Sequence, residues 1–256
     1  MSLIQADFMS ETLHMYVGVN VILPLPRDPY APVHDLPVLY LLHGMSDDFT
    51  AWQRKTAVER YALENNLAVV MPNGGMSCWE NMAHGGAYRD FICDELPRRI
   101  RAWFPISADR ERSFIAGCSM GGLGAFRVGL AHPEAYSAIG AFSSPHFEYR
   151  CDHPANAAML ARVYDGDIDS HDAEIEANAR AISNGSLPVR VFQTCGDHDL
   201  LYDEIHASRD FLSSLGGSLT LRFETLPGRH DWTLWDESLR RFIEFLDLPK
   251  SVGQVF

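Results

Sequence analysis

A serine stands between two glycines in Gly117-Cys118-Ser119-Met120-Gly121, directly after the apolar run Ser113 to Ala116 and before a helical pattern. This is the G-x-S-x-G signature of a sharp strand-to-helix turn, which lifts a serine hydroxyl clear of the sheet so that it can act as a nucleophile. The glycines have a steric reason: a Cβ on either flank of so tight a turn would meet neighbouring backbone. A hydroxyl is a weak nucleophile and needs a general base. That base needs a carboxylate to fix its tautomer and stabilise its cation.

In doubly wound enzymes with this turn the partners follow in the order Ser, Asp/Glu, His, on loops at the C-terminal edge of the sheet. After the run Val189 to Thr194 comes Cys195-Gly196-Asp197-His198-Asp199-Leu200-Leu201, so both aspartates are candidates. Asp199 is preferred, because Gly196 can end the strand and leave loop enough to reach a histidine. Leu226-Pro227-Gly228-Arg229-His230-Asp231-Trp232 begins where the last strand must end, and His230 is the histidine in the right topological place. Acyl chemistry at a serine also needs donors for a developing oxyanion. The N–H of Met120 is one candidate, and the N–H of Met45, in the loop Leu42-His43-Gly44-Met45, is the other. His43 reads as a residue that shapes this loop rather than as a base or metal ligand.

These residues need a sheet to hold them. Leu3 to Met9 and Met15 to Leu23 read as antiparallel strands, followed by a loop crowded with Pro24, Pro26, Pro29, Pro32 and Pro37. From Val38 the pattern changes to continuous apolar runs: Val38 to Leu42, Leu67 to Met71, Ser113 to Ala116, Ser137 to Phe142, Val189 to Thr194 and Leu219 to Phe223. Such runs suit strands covered on both faces. Helical patterns span Thr56 to Glu64, Tyr88 to Phe104, Met120 to Ala131, Asp203 to Leu215 and Trp232 to Leu246. The alternation predicts one three-layer α/β domain over residues 1–256, mostly parallel, with the two front strands antiparallel. Pro145 to Leu187 shows no strand pattern and is expected to be a lid or cap insertion that gathers binding residues.

Composition bounds the partners. A formal charge of −13 on 256 residues argues against nucleic acid and anionic membrane surfaces. No apolar run approaches the length of a membrane span, and no basic stretch leads into an apolar one at the N-terminus. The five cysteines (Cys78, Cys93, Cys118, Cys151 and Cys195) are odd in number and widely spaced, which fits reduced thiols in a cytoplasmic protein.

Taken together, the chain resembles the putative esterase family of α/β hydrolases, which includes tributyrin esterases, esterase D (S-formylglutathione hydrolase), feruloyl and acetylxylan esterases, and mycolyltransferases. The resemblance rests on Leu41-Leu42-His43-Gly44-Met45, Glu95-Leu96-Pro97, Ala116 to Gly122, Gly196 to Leu201 and Gly228-x-His230-x-Trp232. It implies an α/β-hydrolase fold and a serine carboxylesterase, with Ser119 as nucleophile, Asp199 as acid, His230 as base, and the Met45 and Met120 amides as oxyanion donors. It also implies a small-molecule ester substrate with a short acyl group, no cofactor, and association into homo-oligomers. The His-Gly-Met loop, followed soon by Trp52, is most similar to the tributyrin-esterase branch. Met45-Ser46-Asp47-Asp48 departs from the esterase D loop, which disfavours formylglutathione. Acyl transfer to an alcohol or sugar is the alternative on the same residues, and a non-catalytic binding protein would be expected to have lost one of them.

The substrate pocket is expected to be bordered by Trp52 and by the loop Asn73 to Gly86 with Trp79 and His84. The blander reading of that loop is a connector after Pro72. Asp165, Asp167, Asp169 and Glu176 have the skeleton of a calcium loop, but Ser170 stands where that loop needs glycine, so helix capping explains them and no metal is expected.

Overall fold

The computed structural model describes residues 1–25, 28, 30–148, 150 and 154–249, so Pro26, Pro29 and Cys151 lie outside the described residues. Among the described residues, eight strands form one sheet in the order β1-β2-β4-β3-β5-β6-β7-β8. They are β1 (Ser2–Ser10), β2 (Met15–Leu23), β3 (Val38–Leu42), β4 (Ala68–Pro72), β5 (Ser113–Cys118), β6 (Ala138–Phe142), β7 (Val189–Gly196) and β8 (Leu219–Leu226). β1–β2 and β2–β4 pair antiparallel, and every other pairing is parallel. Every residue of β3, β4, β5 and β6 is buried, because helices cover both faces, and this is why these strands read as unbroken apolar runs. The protein has the α/β-hydrolase fold.

Two apolar layers flank the sheet. One gathers α1 (Ala51–Lys55), α2 (Val58–Glu64) and α9 (Trp232–Phe245) through Trp52, Val58, Tyr61, Leu234 and Phe242. The other gathers α3 (Tyr88–Asp90), α4 (Leu96–Trp103) and α5 (Met120–Ala131) through Leu96, Ile100, Leu123 and Phe126. The strand order runs outward in both directions from β3 and β5. At such a reversal the loops leaving the two central strands diverge and open a crevice at their carboxyl ends. Gly44 follows β3 and Ser119 follows β5, so the fold itself brings them to one place.

The segment Pro145 to Leu187 is more regular than its sequence pattern suggests. It holds α6 (Pro154–Tyr164) and α7 (Ile168–Asn184), with α8 (Tyr202–Leu215) following β7. α7 buries Ile175, Ala179 and Ile182, one narrow stripe at i, i+4 and i+7. It is therefore the crossover helix between β6 and β7, and the alternation is not broken there. Three buried positions on an otherwise polar, acidic helix give too thin a stripe to read in advance.

Glu95, from the motif Glu95-Leu96-Pro97, ties the front hairpin to the sheet. It closes a π-turn, Phe91–Glu95, that joins α3 to α4 and precedes Pro97, which has no N–H to give. Its carboxylate accepts from Ser10 Oγ at 2.6 Å, the Glu11 N–H at 3.0 Å, the Thr12 N–H at 2.9 Å and Arg99 Nε at 2.7 Å. Burial raises its pKa, but the hydrogen bonds from Ser10, Thr12 and Glu11 outweigh it and hold the group down at about 2. A carboxyl group lowered in the folded state stabilises above its unfolded pKa and loses that contribution as pH falls through the folded value. Glu95→Gln should therefore cost about 2–3 kcal/mol at neutral pH, and the difference from wild type should vanish as pH falls from about 4.5 to 2. Urea unfolding at pH 7 and near pH 3 reads this directly, and an equal deficit at both would contradict it.

Candidate active site

The turn at Ser119 is built by backbone contact. A Cβ on Gly117 would sit 2.4 Å from the Gly121 carbonyl oxygen, and one on Gly121 would sit 2.4 Å from the Leu42 carbonyl oxygen. Only glycine fits at either place, so β5 can turn into α5 directly against the end of β3. Ser119 itself is left at φ +52 and ψ −123, a conformation that costs a non-glycine residue roughly 1–3 kcal/mol. α5 and the bond from the Ser119 N–H to the Phe142 carbonyl, 2.8 Å, hold it there. Cys118 lies fully buried beneath the turn, and burial pushes its thiol well above the ordinary range, which keeps it protonated and inert.

Three strand-end loops converge on this serine. His230, between β8 and α9, places Nε2 2.9 Å from Ser119 Oγ. Its Nδ1 lies 2.9 Å from Asp199 Oδ1, on the loop after β7. The hydrogen-bond pattern sets the tautomer: Nδ1–H donates to the carboxylate, which leaves Nε2 to accept from the serine. Burial alone would raise the Asp199 pKa, but the hydrogen bond from His230, the neighbouring Ser143 hydroxyl and the Leu201 N–H together lower it, so the group stays ionised. The Leu201 bond is 3.0 Å, whereas Asp199 Oδ2 and Ser143 Oγ are both buried without a partner of ordinary geometry among the described residues. Asp197, the other candidate, accepts from the Gly228 N–H at 2.9 Å and so braces the loop that carries His230.

The loop after β3 lies against Ser119. A Cβ on Gly44 would come within 3.6 Å of the Ser119 Cβ, and Met45 follows it. His43 holds the loop. Its Nε2 accepts from the Gly74 N–H at 2.9 Å, so its Nδ1–H donates to the Gly44 carbonyl at 2.8 Å. Burial lowers its pKa, which keeps it neutral. Met120 is the first residue of α5, where a helix leaves its N–H groups without intrahelical acceptors.

The three residues expected to border the pocket lie elsewhere. Trp52 is 1% exposed and donates Nε1–H to the Leu42 carbonyl at 3.0 Å. Trp79 is fully buried and donates to the His43 carbonyl at 3.2 Å. Both are braces for the end of β3, because an indole N–H buried near a strand end is best satisfied by the free carbonyls there. His84 is exposed and faces Asp165 at 3.2 Å, on the loop after α6. Asp169, from the same acidic run, pairs with Arg150.

A cavity of about 290 Å³ opens beside Ser119 and His230. Its walls are mainly apolar, from Met45, Met120, Leu123, Phe147, Met159, Leu201 and Trp235, with Ser144, Glu148 and Asn156 as polar exceptions. The Trp235 ring stands edge-on to the His230 imidazole at 5.2 Å. Sequence reading missed Trp235, Phe147, Glu148 and Met159. A signal for the middle two existed: they follow the C-terminal end of β6, where α/β sheets gather their ligand contacts.

Comparison with known proteins gives the family. An acetyl esterase from Caldicellulosiruptor saccharolyticus is 29% identical, over 96% of this chain and 98% of its own. Among solved structures, substrate-bound FphF, a fluorophosphonate-binding serine hydrolase of Staphylococcus aureus, superposes with a TM-score of 0.84 at 30% identity. The apoenzyme of FrmB, an S-formylglutathione hydrolase from the same organism, gives 0.81 at 30% identity. Each match spans 96% of this chain and 98% of the other. Residues 10–246 match the family model described as putative esterase, and the chain belongs to that family of carboxylic ester hydrolases.

Proposed function

We propose that the protein is a serine carboxylesterase that hydrolyses short-chain acyl esters through Ser119, His230 and Asp199. The observation that carries this reading is the relay of two 2.9 Å hydrogen bonds from Ser119 Oγ through His230 to Asp199, at the mouth of an apolar cavity. His230 Nε2 takes the hydroxyl proton as Oγ bonds to the ester carbonyl carbon. The Met45 and Met120 N–H groups receive the oxyanion, a term that is often the largest in such catalysis. The tetrahedral adduct collapses, the C–O bond to the alcohol breaks, and the alcohol leaves with the proton held on His230. Water then repeats the sequence on the acyl-enzyme, giving its proton to the same imidazole and releasing the acid.

The cavity supports short acyl groups. About 290 Å³ is at the small end of ligand pockets. The similar acetyl esterase supports the same range. With p-nitrophenyl esters of increasing chain length, kcat/KM should peak at about two to four acyl carbons, each further methylene that does not fit costing roughly 10-fold or more. An optimum at a long fatty acyl chain would contradict this. Product analysis with an added alcohol separates hydrolysis, the expected main route, from acyl transfer.

A further inference from the structure

A buried chain of polar groups leads from α5 to the cavity wall. Arg127, 2% exposed, places Nε 2.9 Å from Glu80 Oε2. Its Nη1 donates to the Cys78 carbonyl, and its Nη2 donates to the Tyr164 hydroxyl at 3.0 Å. That hydroxyl donates onward to Glu148 Oε2 at 2.6 Å. Arg89 is bound by Glu174 at 2.9 Å. Each guanidinium is thus matched at short range by a carboxylate, Arg127 by Glu80 and Arg89 by Glu174. Among the described residues, Glu148 is left with a neutral phenol.

That arrangement gives Glu148 unused capacity. A carboxylate can accept about four hydrogen bonds. Among the described residues, the Tyr164 hydroxyl is the one donor of ordinary geometry to this carboxylate, with the Cys78 thiol close by. Glu148 is 8% exposed and lines the same cavity as Ser119. The Ser144 hydroxyl, also on that wall, is spent on the Pro145 carbonyl at 3.0 Å. Beyond the wall, a second cavity shares Glu148 and is bordered by Asp172, Glu176 and Glu204 against the single Arg150. The surroundings are therefore acceptor-rich and negative. A carboxylate on an apolar cavity wall with acceptor capacity to spare favours a ligand that brings it a donor over one that brings a methyl group.

We infer that Glu148 sets substrate specificity: it anchors esters whose far end carries a hydrogen-bond donor, a hydroxyl or an ammonium, and it disfavours esters ending in a carboxylate. The inference rests on Ser119 being the esterase nucleophile of this cavity. Tyr164, at the end of α6, and Arg127, on the helix that follows Ser119, act as positioning residues: the guanidinium holds the phenol and the phenol holds the carboxylate.

The test compares kcat/KM within matched sets of esters. On the acyl side these are p-nitrophenyl isovalerate, beta-hydroxybutyrate, beta-aminobutyrate and hemisuccinate. On the alcohol side they are butyl acetate and trimethylene glycol monoacetate. The wild type should prefer the donor-bearing member over its methyl-bearing partner by roughly 10-fold or more in one set, and the set that responds identifies which half of the ester reaches Glu148. Hemisuccinate should be the poorest acyl substrate. Glu148→Leu should bring the donor-to-methyl ratio near one, and Glu148→Gln should keep the hydroxyl preference but lose the ammonium preference. A wild-type ratio near one in both sets overturns the inference without any variant, as does a preference that survives in Glu148→Leu. Hydrolysis of the methyl-bearing esters with no donor preference overturns Glu148 alone. Hydrolysis of none of the esters overturns the esterase reading as well.

Discussion

Ser119→Ala should leave the chain folded and lower kcat for ester hydrolysis by roughly 10³-fold or more. The substitution removes one oxygen, whose contact in this site is with His230 Nε2 at 2.9 Å. The backbone at φ +52 is as unfavourable for alanine as for serine, and the Gly117 and Gly121 contacts that impose it remain, so stability should change little. Binding in the cavity and the oxyanion donors would still give some rate above water alone, which is why the loss is large but finite. Hydrolysis of p-nitrophenyl butyrate, with a thermal melt as a check on folding, measures both halves. A folded alanine variant that kept most of its activity would remove Ser119 from the chemistry.

Asp199→Asn should be nearly as damaging, costing on the order of 10³–10⁴ in kcat. The amide is the same shape, but it carries no charge to stabilise the imidazolium. Oδ1 of Asp199 also accepts from the Leu201 N–H at 3.0 Å, so an asparagine oxygen held there would have to serve both donors. If the amide turns its NH₂ towards His230 instead, the ring must take the other tautomer and Nε2 can no longer accept the serine proton. Asp197→Asn is the control. Its Oδ1 accepts one backbone bond from Gly228, which an amide oxygen can still accept, so the expected loss is less than about 10-fold. Equal damage at both positions would show that the aspartates brace the loops rather than act on the histidine.

The strands and the turn at Ser119 were legible because each is forced by a short-range rule. A strand covered on both faces is built mainly from apolar residues, and Gly117 and Gly121 are required by backbone contacts of 2.4 Å. Once the order of strands was read, the loops bearing Asp199 and His230 followed from topology. The pocket wall did not follow. Trp52 and Trp79 are large aromatic residues near the right strand end, and such residues suit a pocket or a brace equally well. The choice depends on whether the indole N–H meets a backbone carbonyl, and that depends on the path of the loop at Gly44. α7 was hidden by its polarity, and Glu148 by its place in a stretch without periodicity. Its partner Tyr164, and Arg127 behind that phenol, lie 16 and 21 positions away along the chain, and only the fold brings them together.

The central claim is that Ser119 is the residue that becomes acylated. A serine-directed fluorophosphonate, followed by intact-mass measurement and peptide mapping, reads this without knowledge of the natural ester. The expected result is one adduct per chain, on the peptide containing Gly117 to Gly121 and at Ser119, with none on Ser119→Ala. An adduct on another residue, or a folded wild-type protein that takes up no probe, would contradict the account.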